Sequence, residues 1–382
     1  MTDRKRQPTA LVEPATWAMS RLLSAHCAEP VTAGVALVIG GGLGYGMVHA
    51  PAGSPVRWFV SGRPSWHADD LYLHAALERC GLSVDVAQPS SLSEADETLR
   101  RWRDQSGEGF VVWVDATALP WWALPSQQRG FWAHPLWVKP LPNGQWSVDD
   151  QRATPEVMEH DALCEAVTAA RRPRLLRVHG APSRSKDQML RLGLAACVAG
   201  MDAGHTSFGV AGLRQTSAVL FHIVHWRQQY PTKGEQLHAL FDLGHAIKRQ
   251  GGLMRALFAD GLTEASAALR DEELRDLRDD FAALARKWAT TADVCLPGDS
   301  ALDEAQRLRR WIDVSVHQGD DANTLADGRA RLAELTRDLA ADCRIEQDEL
   351  DDHRVVVAQH IAARTNEEVL ALDALKDWLS AS

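Results

Sequence analysis

Tryptophan is distributed unevenly along this chain, and its distribution divides the sequence into two regions. Ten of the fourteen tryptophans lie before residue 150, whereas the rest of the 382-residue chain is rich in Ala, Leu, Arg, Asp and Glu. Large aromatic side chains supply much of the apolar area of a packed core. Leu and Ala at helical spacing, with mixed charge between them, are typical of amphipathic helices. The sequence therefore predicts an aromatic-rich first domain and a helical second one.

Helices precede strands in the first region, which is typical of an α+β domain rather than a repeating βαβ sheet. The apolar run 35–39 leads into glycines, and we interpret it as a strand or tight segment entering a turn. The other predicted elements are helices over 15–25, 69–80 and 93–105, and strands over 110–115, 136–139, 145–149 and 175–178.

Almost every segment of the second region has the period of a helix, which predicts an all-α helical bundle. A joint rich in Gly, Pro and Ser at 180–185 separates it from the first region. The predicted helices cover 185–199, 208–229, 233–249, 252–269, 271–290, 300–315, 323–341 and 345–380. We therefore predict a disordered N-terminus at 1–9, an α+β domain at 10–178, a linker at 179–184 and a helical domain at 185–382.

Composition narrows the classes of partner. The net charge is −10 and the basic residues are interleaved with acids, which argues against nucleic acid as a partner. No apolar stretch approaches a membrane span, so we expect a cytoplasmic protein that does not contact membranes. The six cysteines lack Cys-x-x-Cys spacing, which indicates reduced thiols. We expect no metal and no other cofactor, because His222 and His225 are explained more simply by an amphipathic helix face than by metal binding.

The glycine-rich run 40–46 does not have the spacing of a dinucleotide-binding loop. That motif needs glycine at positions i, i+2 and i+5, and no starting point in the run satisfies it. The run favours instead a close passage of two backbones, or a positive φ.

Several short motifs follow one another in an order and spacing that are typical of one family. They are Leu22-Leu23, the glycine run 40–46, Gly62-Arg63, the segment Val112–Pro120, His134, Asp150, and residues 251–258 and 262–265. In this order they resemble the butirosin biosynthesis protein H family, acyltransferases with a papain-like N-terminal domain related to the bacteriocin-processing cysteine peptidases. The second region resembles the helical domain that usually accompanies it, and the similarity covers nearly the whole chain.

The resemblance implies acyl transfer from a carrier thioester to an amine in specialised-metabolite biosynthesis, with an acyl carrier protein or a small-molecule amine as partner. His134 would be the base and Asp150 the carboxylate that orients its ring, with Asp149 as an alternative. Consecutive strand residues face opposite sides, so only one of the two acids can reach His134. The implied substrate cleft is lined by Gly41, Gly42, Gly44, Trp121 and Trp122. Packing in the core is the alternative for the two tryptophans.

The sequence departs from this family at the nucleophile. A cysteine heads the first helix in the family, but the corresponding residue here is Pro14, which suits a helix start and offers no nucleophile. Cys27 lies near the other end of that helix, about 20 Å away at 1.5 Å per residue, and Thr16 is a poorer nucleophile than a thiol.

Two hypotheses follow for the function. One is acyl transfer, or hydrolysis of an amide bond, by His134 and Asp150 with an unidentified nucleophile. The other is a catalytically silent homologue that binds a carrier-tethered intermediate, a peptide or a partner enzyme. The charged helices after residue 300 are expected to be solvated, or to form a homodimer surface.

Overall fold

The computed structural model describes residues 12–50, 57–64, 69–105, 108–130, 133–297, 300–341 and 343–381. The segment 1–9, which was predicted to be disordered, lies outside the described residues. The chain is a mixed α+β protein with a six-stranded sheet and a C-terminal helical region, which confirms the predicted fold class at this level.

The strands are β1 (Gly46–His49), β2 (Trp58–Ser61), β3 (Ser83–Ala87), β4 (Phe110–Asp115), β5 (Ala133–Pro140), β6 (Trp146–Asp149), β7 (Glu156–Met158) and β8 (Arg174–His179). The helices are α1 (Pro14–His26), α2 (Ala33–Ile39), α3 (Asp69–Cys80), α4 (Leu92–Gln105), α5 (His160–Ala169), α6 (Lys186–Met201), α7 (Gly209–Phe221), α8 (Ile223–Gln229), α9 (Lys233–Ala246), α10 (Leu253–Leu269), α11 (Glu273–Val294), α12 (Ser300–Gln318), α13 (Ala322–Ala341) and α14 (Gln347–Ala381). As far as these helices are described, none is long and apolar enough to cross a membrane, and the location in the cell stays a prediction.

The chain divides into two compact units, each assembled from separate segments of sequence. Unit 1 contains the chain up to Ala33, Gly81–Ser183 and Arg307–Leu332. Unit 2 contains Gly34–Cys80, Arg184–Gln306 and the chain from Ala333 onward. The domains predicted from sequence were continuous, because periodicity identifies a helix without saying which distant segment it packs against.

Unit 1 is built on the six-stranded sheet, whose order is β3-β8-β4-β5-β6-β7 and whose neighbouring strands are all antiparallel. Successive side chains of a strand point to opposite faces. On one face Val112, Leu136 and Val148 form a core with Leu99 of α4 and Leu163 of α5.

Helix α1 packs on the sheet from the other side. It lies against β5, and its Trp17 and Arg21 bond to Asp149, which pairs in register with Trp137. Along their strands, Asp149 and Trp137 are next to Val148 and Leu136, whose side chains point into the core with α4 and α5. Neighbouring strand residues face opposite sides, so α1 lies on the opposite face of the sheet from α4 and α5.

The apolar run 35–39 forms helix α2, so the prediction of a strand or tight segment was wrong. Residues 34–39 are all buried, and Gly34 lies so close to Gly261 of α10 that a Cβ would collide with its backbone. A helix that is covered on all sides is apolar on all sides, so it lacks the alternation of polar and apolar residues by which helices are recognised.

Unit 2 is mainly helical and contains a fully buried ion pair between α10 and α14. Arg255 and Glu368 are both 0% exposed, with Arg255 Nη2 2.8 Å from Glu368 Oε1. Trp288 of α11 donates its indole N–H to Glu368 Oε2 at 3.0 Å. The helix predicted over 208–229 is interrupted at His222, whose φ of −85° and ψ of 82° end α7 and begin α8.

Candidate functional site

Neighbouring strands bring His134 and Asp150 together in unit 1. His134 is the second residue of β5, and Asp150 directly follows the end of β6, which pairs with β5. The His134 Nε2 atom lies 2.5 Å from Asp150 Oδ1. Both side chains are almost fully buried, at 7% and 2% exposed. The structure therefore joins the two residues that the family resemblance implies as base and orienting carboxylate.

Two indoles hold the second oxygen of Asp150. Trp121 and Trp122 both donate their Nε1–H groups to Asp150 Oδ2, each at 2.7 Å. Burial by itself would raise the pKa of Asp150, but the charge and hydrogen bond of His134 and the two indole hydrogen bonds lower it below the ordinary value. Asp150 is therefore ionised at neutral pH.

The ionised carboxylate determines which nitrogen of His134 carries the proton. A carboxylate only accepts hydrogen bonds, so the proton between the two residues belongs to His134 Nε2. The ring has a lone pair on Nδ1 only in its neutral form, whereas in the charged form Nδ1 carries the second proton. Within the described residues no group forms a hydrogen bond with this atom. Among the described residues, the pair thus has the arrangement of a general base that a carboxylate orients and whose Nδ1 has no hydrogen-bond partner.

Asp149 has a different role from Asp150 and is not the partner of His134. It accepts the Trp17 indole N–H at 2.9 Å and lies 2.8 Å from Arg21 Nε, so it binds helix α1 to the sheet. As expected from strand alternation, only one of the two consecutive acids reaches the histidine.

The N-terminus of α1 provides no nucleophile to the His134–Asp150 pair. Pro14 is the first helical residue, and the Glu13 carboxylate caps the helix by accepting the Thr16 backbone N–H at 2.9 Å. No described residue of α1 forms a hydrogen bond with His134 or Asp150. A capping carboxylate thus occupies the position at which a helix N-terminus would stabilise a thiolate.

None of the described cysteines contacts the His134 ring. Unit 1 contains Cys27, at the C-terminal end of α1, and Cys164 in α5. The Cys164 thiol lies beside a different histidine, and no cysteine is a partner of His134 among the described residues.

The loop that carries Trp121 and Trp122 is anchored by the parts of α12 and α13 that belong to the same unit. Arg329 of α13 donates from Nε to the backbone carbonyl of Trp122 at 3.0 Å. Trp122 also packs on an apolar cluster that contains Ile312 of α12 and Leu325 of α13. The ring of Trp122 in turn lies edge-on to the ring of His134, with their centres 4.9 Å apart. Whether the two tryptophans also line a substrate cleft stays a prediction.

The three glycines of the predicted cleft belong to unit 2, and close packing accounts for them there. Gly41 has a φ of +63°, and a Cβ on it would come within 2.6 Å of Ala196 Cβ. A Cβ on Gly42 would collide with Leu37, and one on Gly44 with Pro64. This is the close backbone passage that the spacing of the glycine run indicated, and a substrate-binding role for the run stays a prediction.

Unit 1 contains a second histidine–carboxylate pair, which the sequence patterns do not predict. His160 begins α5, its Nε2 lies 2.6 Å from Asp96 Oδ1 of α4, and Cys164 Sγ lies 3.5 Å from the same Nε2. The signal in the sequence is the spacing of four between His160 and Cys164, which places both on one side of a helix.

Asp96, His160 and Cys164 form the His160 cluster. Its histidine does not have the tautomer that a metal site needs, and its residues are not arranged as in a thiol active site. Ligand atoms of Asp96, His160 and Cys164 lie within 4.8 Å of one another. However, Trp146 donates its indole N–H to His160 Nδ1 at 3.2 Å, so Nε2 carries the ring proton and has no lone pair for a metal. Asp96 and Cys164 both contact the same ring nitrogen, His160 Nε2, whereas a thiol active site places the acid and the thiol on different nitrogens. Burial also raises the pKa of the Cys164 thiol to about 11. We conclude that the cluster joins α4 to α5.

The comparisons with known proteins cover part of the chain. A family model described as a domain of unknown function (DUF4872) matches residues 164–314, which is less than half of the sequence. No curated protein matches the chain. The matched segment begins within α5 and ends within α12, so it contains neither His134 nor Asp150.

Proposed function

We propose that this protein transfers an acyl group from a thioester directly to an amine, with His134 as the general base and Asp150 as the residue that orients it. The observation that carries the proposal is the hydrogen bonding of the His134 ring. Its Nε2–H is held by Asp150 at 2.5 Å, while its Nδ1 has no partner among the described residues. In its neutral form, a ring held in this way can take a proton from an acceptor directly, without a side-chain nucleophile between them.

The reaction balances with these two residues alone. The amine nitrogen attacks the thioester carbonyl carbon, and His134 Nδ1 takes the proton that the nitrogen releases. The carbon–sulfur bond then breaks, and the proton passes from the imidazolium to the leaving thiolate. The products are an amide and a free thiol, and the buried Asp150 carboxylate stabilises the imidazolium between the two proton transfers.

Direct transfer explains the absence of a thiol at the histidine. A covalent route would need a cysteine within reach of His134 Nδ1, and the described residues place none there. The papain-like assignment is part of the same proposal. It is supported by a helix, α1, that precedes antiparallel strands carrying a histidine and an acid side by side. An acyl carrier protein as donor and a small amine as acceptor are proposed from the sequence resemblance.

Intact-mass analysis with a simple donor tests direct transfer. The protein is incubated with the acetyl thioester of N-acetylcysteamine, with and without glycinamide. We expect acetylglycinamide to form only when the amine is present, while the protein mass stays unchanged throughout. A protein mass raised by one acetyl group in the absence of amine would show a covalent route and contradict direct transfer.

The second candidate function is a catalytically silent protein that binds a carrier-tethered intermediate, a peptide or a partner enzyme. Its support is the capped start of α1, where Pro14 and the Glu13 carboxylate replace a nucleophile. On this view the His134–Asp150 pair is retained as a structural bond between strands. The two candidates are separated by the same incubation, because the silent protein forms no acetylglycinamide at any concentration of thioester.

A further inference from the structure

Unit 2 contains a pocket at the place where the C-terminal end of α6 meets one face of α7 and one face of α14. Its volume is about 280 Å³. Pockets for drug-sized ligands commonly measure about 300–1,000 Å³, so this one suits a smaller molecule. All of its lining residues belong to unit 2, and it therefore shares no residue with the His134–Asp150 pair.

The buried part of the pocket lining, its floor, is apolar. Met201 and Leu372 are 0% and 1% exposed, and the partly buried Val210, Ala211 and Val369 line the same pocket. None of these five side chains carries a charge. Such a surface is stabilised when the hydrocarbon group of a ligand covers it, because apolar area is then removed from water.

The exposed part of the lining, its rim, carries a lysine between two acids. The side chains of Asp202 and Asp373 are 49% and 56% exposed, and Lys376 Nζ lies 3.1 Å from one carboxylate oxygen of each. These two hydrogen bonds raise the pKa of Lys376, so its ammonium is charged at neutral pH. The second oxygen of each carboxylate has no bond to any residue that the structure describes.

Arg214 of α7 is the fourth charged residue of the lining. It is exposed, and in the described part of the chain no residue forms a hydrogen bond or an ion pair with its guanidinium. The pocket thus has two basic and two acidic side chains, whose charges cancel. An ion of one sign would be attracted by one pair and repelled by the other, whereas a molecule that carries both signs is attracted by both pairs.

We propose that this pocket binds an α-amino acid with an aliphatic side chain. Arg214 binds the carboxylate, for which the guanidinium has a matching pair of donors. The unbonded oxygens of Asp202 and Asp373 accept hydrogen bonds from the ammonium. Both charged groups of an α-amino acid are attached to one carbon, so they stay at the rim while the side chain covers the apolar floor. The inference concerns binding alone and does not depend on the proposed function.

Saturation-transfer NMR on the 382-residue chain with L-leucine tests this inference. Isocaproate has the same hydrocarbon group and carboxylate but no ammonium, and L-leucine methyl ester has the ammonium but no carboxylate. We expect L-leucine to bind and each analogue to bind about tenfold more weakly, the effect of losing a hydrogen bond between charged groups. No saturation transfer to L-leucine up to its solubility limit, or equal affinity for isocaproate, would overturn the proposal.

Variants at the rim assign the binding to this pocket. We expect Arg214→Gln and Asp373→Asn each to weaken L-leucine binding about tenfold, because each removes one charge that the ligand contacts. Arg275→Gln is the matched control, since this exposed arginine of α11 does not line the pocket and the variant should retain the wild-type affinity. Wild-type affinity in either rim variant would contradict the proposed contacts.

Discussion

Asp149 and Asp150 are consecutive residues that bond on opposite faces of the sheet. Asp150 Oδ1 lies 2.5 Å from His134 Nε2, whereas Asp149 Oδ1 accepts the Trp17 indole N–H at 2.9 Å. Strand alternation assigns the first acid to the docking of α1 and the second to the orientation of the histidine. The two positions therefore form a natural pair for mutation.

Substituting the two acids separately should affect different properties. We expect Asp150→Asn to change the nitrogen-15 shifts of the His134 ring, because an amide in place of the carboxylate no longer fixes the proton on Nε2. Asp149→Asn should leave these shifts in place and instead weaken the docking of α1, since Trp17 and Arg21 lose a charged partner. Ring shifts that respond equally to both substitutions would contradict this division.

The stabilising effect of Asp150 should disappear in acid. Its pKa is lowered in the folded protein, so the stabilisation is complete above the ordinary carboxyl pKa of about 3.9 and is lost as the pH falls through the lower folded value. At pH 7 we expect Asp150→Asn to lower the free energy of unfolding by about 3 kcal/mol, because one partner of a buried pair is lost. Urea unfolding from pH 7 to pH 3 should show the gap between wild type and variant closing. A gap that widens towards low pH would contradict the lowered pKa.

Removal of either indole N–H should release Asp150. We expect Trp121→Phe and Trp122→Phe each to cost about 2 kcal/mol, the scale of a hydrogen bond to a charged group, and to alter the nitrogen-15 shifts of His134. Trp113→Phe is the matched control, because this buried tryptophan of β4 does not bond to Asp150. It should lose stability through packing alone and leave the His134 shifts unchanged. Equal effects of all three on His134 would refute a specific role for the two indoles.

Helix α13 should influence His134 through the Trp122 loop. Arg329→Ala removes the hydrogen bond to the Trp122 carbonyl, and we expect a loss of about 1 kcal/mol in stability together with a change in the His134 ring shifts. Arg337→Ala, on an exposed part of the same helix, serves as the control and should change neither. If Arg329→Ala reduced stability but left the His134 shifts in place, the anchor would be purely structural.

Sequence patterns located the parts of the candidate site that obey local rules. Alternation along β6 predicted that only one of Asp149 and Asp150 could bond to His134, and the structure agrees. The spacing of the glycine run excluded a dinucleotide loop, and close packing accounts for Gly41. Both predictions depend on neighbouring residues and on geometry that holds for any strand or turn.

The parts that escaped prediction depend on contacts between distant segments. The bond from Arg329 to the Trp122 loop spans 207 residues, and helical periodicity does not reveal it. The indole bonds to Asp150 could not be distinguished from ordinary core packing, because the same tryptophans satisfy both descriptions. The sequence predicted a strand or tight segment where helix α2 lies, because a fully buried helix and a buried strand share an unbroken apolar run.

The rate of acetylglycinamide formation in wild type and in His134→Ala tests the central claim most directly. His160→Ala provides the matched control, since His160 also pairs with an aspartate but uses both ring nitrogens. The account predicts acetylglycinamide formation by the wild type, a loss of at least a hundredfold in His134→Ala, the usual scale for a general base, and retention in folded His160→Ala. Equal rates in wild type and His134→Ala, or no acetylglycinamide from either, would contradict it.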